Sequence, residues 1–148
     1  MPRGDCYKKA GTIAFLIKTY NNKKMEACYI NDNLYKKTPS YKKMITEDGL
    51  KLKDGYIEFH GKPKVVHAQV WHSTANFPYG HAFIIDDKFA YDLSNDRCII
   101  LPKDIYYKEA KIKKQKPYYY EYTPKQAIAK MVKEGHYGSW DLQTDSGL

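Results

Sequence analysis

Three residues in this chain have the types and spacing for nucleophilic acyl chemistry: Cys6, His81 and Asp92. A cysteine attacks as its thiolate, and a thiolate forms most readily at a helix N-terminus or beside an imidazolium. Cys6 sits where a helix is predicted to begin. Cys6, Ala10, Ile13, Ile17 and Tyr20 fall on one helical stripe over residues 6–20. Asp5 stands at the N-cap position, and Gly4 lets the chain turn in. The free N–H groups of a first helical turn lower a thiol's pKa and can bind a developing oxyanion. The plainer account of Cys6 is a small buried side chain on an apolar face.

His81 and Asp92 lie in the segment Tyr79-Gly80-His81-Ala82-Phe83-Ile84-Ile85-Asp86-Asp87-Lys88-Phe89-Ala90-Tyr91-Asp92. It reads as a hairpin. A turn centred on Asp86-Asp87 sets His81 directly opposite Asp92, on one face. Opposed Cβ atoms are roughly 4.5–5.5 Å apart, within reach of an imidazole–carboxylate hydrogen bond. Such a bond fixes the His tautomer and stabilises the imidazolium. Asp-Asp is not a preferred two-residue turn, so register is the sensitive point.

The elements that must position these residues follow in order. Residues 24–37 read as a second helix, with Ala27, Ile30 and Leu34 on one face. A strand is predicted within residues 51–59, and another over residues 65–72, with His67, Gln69 and Trp71 on one face. Residues 97–101 form a short apolar strand stopped by Pro102. A short helix is expected over 103–110 and a strand over 118–122. Thr123-Pro124-Lys125-Gln126 is a helix start, with Thr as N-cap, Pro at the first position and Gln placed for a capping box. Gly135 is the expected stop. Helix, mostly antiparallel strands, then helix is an α+β arrangement in one domain spanning 1–148.

Gly4-Asp5-Cys6-Tyr7, then Gly80-His81-Ala82-Phe83, then Tyr91-Asp92 resembles the papain-like and transglutaminase-like cysteine hydrolase superfamily. The resemblance implies a Cys-bearing N-terminal helix packed on a mainly antiparallel sheet, and a Cys6-His81-Asp92 triad. Many transglutaminase-like domains carry His-Ala-Trp where this chain has Phe83. The chain also resembles uncharacterised bacterial and phage proteins along most of its length. Those share Asp92-Leu93-Ser94-Asn95, the Tyr-Thr-Pro helix start, and the closing Gly135-His136-Tyr137-Gly138-Ser139-Trp140. Papain-type enzymes take an oxyanion donor from a Gln before the Cys. Only five residues precede Cys6, and none is Gln. The Cys6 N–H is then one donor, with Gln69 and Tyr79 as candidates for the second. Trp140 is either a wall of the substrate pocket or part of a C-terminal clamp, the clamp being the simpler account.

Two other cysteines compete. Cys28 lies early in the predicted second helix without a clear cap, and Cys98 lies in the apolar run Cys98-Ile99-Ile100-Leu101. Three cysteines cannot all pair, and their spacing with His matches no zinc pattern, so neither metal nor other cofactor is expected. The chain's opening lacks the apolar core of a signal peptide, and no apolar run reaches membrane-spanning length. The expectation is a soluble, cytoplasmic protein.

The net charge of +8 comes almost wholly from Lys, with Arg only at Arg3 and Arg97. Such a field attracts acidic proteins, anionic surfaces and nucleic acid alike. Arg, the usual base reader, is scarce, which disfavours sequence-specific nucleic-acid recognition. The function expected first is a thiol hydrolase or acyltransferase acting on a peptide or protein substrate, with the positive charge suiting an acidic one. Peptidase, amidase, deamidase and transglutaminase-like chemistry all use this machinery. The second expectation is a non-catalytic basic module of the same fold, binding nucleic acid or a protein, such as a phage-encoded inhibitor.

Overall fold

The computed structural model describes residues 5–26, 43, 47–71, 77–93 and 99–145. Helix α1 runs Cys6–Thr19 and buries Cys6, Ala10, Gly11, Ala14 and Ile17. Small residues on this face let the helix lie close to its neighbours. The clearest case is Gly11, where an added Cβ would lie 2.7 Å from both Met131 Sδ and Tyr137 Cδ1. Asp5 occupies the N-cap position without a side-chain cap bond.

Strand β1 covers Lys24–Glu26. It replaces the start of the second helix expected over 24–37, whose remaining residues, with Cys28, lie outside the described ones. The reason is long-range pairing: Met25 aligns with Ile57, and both are buried. The strand expected within 51–59 is two strands, β2 (Lys51–Lys53) and β3 (Tyr56–Glu58), turning at Asp54 and Gly55, both with positive φ. The order of this small antiparallel sheet is β1-β3-β2.

Among the described residues the main sheet has five strands: β4 (Lys64–Val70), β5 (Tyr79–Ile85), β6 (Phe89–Asp92), β7 (Ile99–Pro102) and β8 (Tyr119–Tyr122). Their order is β7-β6-β5-β4-β8, antiparallel throughout. Pro102 is tolerated because β7 is an edge strand. Helix α2 (Lys103–Glu109) follows β7, and α3 (Pro124–Glu134) follows β8. Helix α3 has the full capping box between Thr123 and Gln126, Pro124 in its first turn, and Gly135 at φ 77° as its stop. All three features match the sequence expectation.

The sheet separates two apolar layers. One contains Cys6, Ala10, Ala14 and Ile17 of α1 with Val65, Ala82, Ile84, Tyr91 and Ala127. The other contains Val66, Ala68, Phe83, Ile85 and Ala90 with Tyr106 of α2. The protein is therefore mixed α+β, with α1 and α3 on one face and α2 on the other. Among the described residues no helix is long and apolar enough to cross a membrane.

Candidate active site

The site begins with the β5–β6 turn, which lies one residue later than Asp86-Asp87. Ile85 aligns with Ala90 and Ile84 with Tyr91, so the turn centres on Asp87-Lys88. Asp86 sets this. Its Oδ1 accepts the N–H groups of Lys88 (2.9 Å) and Phe89 (2.8 Å), the Asx-type pattern that reshapes a turn. Its Oδ2 accepts Tyr91 Oη–H (2.6 Å) and the N–H of His60 (3.0 Å), which ties in the small sheet. Asp86 is buried, and these four donors make its burial tenable.

Extending this register sets Phe83 opposite Asp92, with His81 on the diagonal two residues along. A diagonal neighbour keeps the same face. His81 Nε2–H accordingly donates to Asp92 Oδ2 at 2.8 Å, with both side chains largely buried. The pairing expected from the sequence is present, reached diagonally rather than directly across the ladder.

Asp92 Oδ2 accepts a second bond, from Tyr106 Oη–H at 2.8 Å. Tyr106 comes from α2 and packs on Phe83, with ring centroids 4.7 Å apart. Phe83 in turn stacks near His81. Sequence reasoning missed Tyr106. Its only signal was an aromatic on the inward face of a short helix, in a chain with 15 Tyr.

The Cys6 side chain is the third partner, close enough to His81 to raise its imidazole. Nε2 is taken by Asp92, so Nδ1 is the ring nitrogen left for sulfur. Cys6 arrives from the α1 layer, whereas His81 and Asp92 face the α2 layer. They meet where β5 continues beyond Asp92, the last residue of β6. Phe83 and Cys6 also line one narrow crevice there, with Lys9, Ile13, Ala82 and Leu93. The first ladder bond of α1 is Lys9 N–H to Asp5 O, 2.7 Å. The N–H groups of Cys6, Tyr7 and Lys8 precede that bond and point from the helix end.

Burial opposes a charge on His81. Hydrogen bonds and negative charge from Asp92 and Cys6 outweigh it and push the imidazole up to about 10. That shift favours the imidazolium, the form in which both ring nitrogens donate.

The remaining candidates sit as follows. Tyr79 is beside His81, ring centroids 6.3 Å apart. Gln69 is buried, and its amide is engaged by Asp145: Nε2 donates to Oδ2 (3.3 Å) and Oε1 accepts the N–H (2.7 Å). Trp140 packs against His67 (4.8 Å) and Tyr122 (5.2 Å) and donates Nε1–H to His136 O. These contacts are those of the C-terminal clamp, and they place Trp140 with His67 rather than with His81. Tyr7, the neighbour of Cys6, joins the clamp through Ser139 and lies edge-on to His67 at 4.8 Å.

His67 is fully buried among these rings, and burial drives it down to about 3 despite the charge of Asp141. It is a neutral packing residue. Cys98 and His72 lie outside the described residues. Among the described residues no group of three His, Cys, Asp or Glu side chains could hold a metal. No protein-family model, curated protein or solved structure matches the chain.

Proposed function

We propose that the protein is a thiol hydrolase or acyltransferase acting on an amide or acyl bond, with Cys6 as nucleophile, His81 as acid–base and Asp92 as orienter. The supporting observation is the hydrogen-bonded series His81–Asp92–Tyr106, with the Cys6 side chain acting on the same imidazole. A cysteine that is merely packed has no reason to share a buried imidazole with a carboxylate fixed by a second donor.

In this reading His81 holds the proton that Cys6 gives up. The thiolate attacks the carbonyl carbon, and the carbonyl π pair moves to oxygen. The N–H groups of the first turn of α1, Cys6's own among them, are the proposed donors to that oxyanion. As the C–N bond breaks, His81 protonates the departing amine, leaving a thioester on Cys6. Water, or another amine, then attacks the thioester, with neutral His81 taking its proton. Water gives hydrolysis or deamidation, and an amine gives acyl transfer. Asp92 holds the ring at Nε2, while Tyr106 holds Asp92. Tyr79, beside the ring, is the proposed substrate-side neighbour.

The test is iodoacetamide alkylation of Cys6 as a function of pH, followed by peptide mapping, with Cys6→Ser as the blank. A thiolate–imidazolium pair reacts well below the ordinary thiol pKa of roughly 8.5. His81→Ala is expected to move the midpoint up into that ordinary range. Alkylation that follows an ordinary thiol curve in the unmodified protein, or ignores His81, refutes the reading.

A further inference from the structure

Among the described residues strand β8 ends the main sheet, and it carries an open groove of about 800 Å³ along its outer side. The ladder shows which backbone groups face outward. Gln69 N–H donates to Tyr118 O, and the register pairs His67 with Tyr120 and Val65 with Tyr122. Antiparallel ladders alternate bonded and non-bonded pairs. Tyr118, Tyr120 and Tyr122 therefore turn their backbone toward β4. Tyr119 and Glu121 turn theirs away, toward the groove.

Lysines flank this edge on both sides. Lys114 and Lys116 enter the groove from the segment before β8, and Lys130 and Lys133 enter from α3. The two carboxylates there are already engaged. Glu121 is paired with Lys64 at 3.2 Å, and Asp141 with Lys130 at 3.2 Å. Lys114, Lys116 and Lys133 are exposed and make no ion pair among the described residues. Aliphatic stems and the Tyr120 and Tyr122 rings supply the apolar floor. An edge strand protected by lysines avoids pairing with neutral strands, because a neutral partner would bring unpaired cations close together. An acidic strand reverses that balance.

We propose that β8 docks an extended acidic peptide by strand addition. The Tyr119 and Glu121 N–H and C=O groups pair with the peptide backbone. Its side chains alternate between Lys114 on one face and Lys116, Lys130 and Lys133 on the other. A peptide fits these features better than a nucleic acid does, since strand pairing uses backbone donors and acceptors that a phosphate chain cannot match. The surface is separate from Cys6 and stands whether or not the thiol reacts.

The experiment is fluorescence anisotropy with a short labelled peptide alternating Glu and Val, using the full chain. A version with Pro at its central positions and a single-stranded oligonucleotide of equal charge serve as competing probes. The alternating peptide is expected to bind, and the Pro version to bind at least about tenfold more weakly, since proline removes ladder donors. The double variant K116E/K133E, exposed on both residues, is expected to lose about tenfold or more, and Cys6→Ser to lose nothing. Equal binding of the Pro peptide, tighter binding of the oligonucleotide, or an unchanged K116E/K133E each overturns the proposal. Circular dichroism of the double variant verifies that the fold is retained.

Discussion

Replacing Asp92 by Asn keeps the shape of the side chain and removes its charge. In the native protein His81 rises from an ordinary 6.5 to about 10 despite burial. Each pH unit is worth about 1.4 kcal/mol, so the imidazolium contributes at most about 5 kcal/mol. Asp92 and Cys6 share that contribution, with the Asp92 hydrogen bond the larger part. The Asn variant should therefore lose on the order of 3 kcal/mol, in the range found when one partner of a buried pair is removed. The pH dependence carries the sign. A raised pKa gives stability that is fully present below 6.5 and is lost as pH climbs through about 10. The deficit of Asp92→Asn should thus be largest near pH 6.5 and shrink toward zero near pH 10. Urea unfolding of both proteins at several pH values in that window measures it, and NMR titration of the His81 ring measures the cause. A deficit that stays constant across the window, or a native His81 that titrates near 6.5, refutes the argument.

Tyr106→Phe removes one donor from Asp92 and leaves the ring packed on Phe83. It should cost about 1 kcal/mol and slow alkylation of Cys6 less than His81→Ala does, as read by urea unfolding and peptide mapping. Asp86→Ala strips the acceptors from the N–H groups of His60, Lys88 and Phe89 and from the Tyr91 hydroxyl. A loss of roughly 3 kcal/mol or more is expected by thermal or urea unfolding, with loss of the His81–Asp92 alignment visible in the His81 NMR titration.

Much of this arrangement was legible in local sequence. The apolar stripe from Cys6 to Ile17 identified α1, and Thr123, Pro124, Gln126 and Gly135 bounded α3. Those signals are read within one or two turns of chain, so no distant partner is needed to interpret them. Alternation along 79–92 put His81 and Asp92 on one face. That result survived the shift of the turn because the observed register moves the pairing by an even step, and side-chain faces repeat every two residues.

Distant contacts decided the rest. Lys24–Glu26 became a strand because Ile57 and its neighbours were there to pair with, a partner some thirty residues away. The turn settled on Asp87-Lys88 because the Asp86 carboxylate gathers donors from both its own turn and His60. Tyr106 reached Asp92 only because α2 folds back over β6. Gln69 and Trp140 were drawn to the C-terminal clamp, where Asp145 and His67 receive them. The sequence alone determined which residue types could act and which face they share. Only the tertiary structure determined that Cys6, carried by one layer, meets an imidazole that faces the other. That meeting depends on where β6 stops relative to β5, a matter of packing between layers rather than of local periodicity.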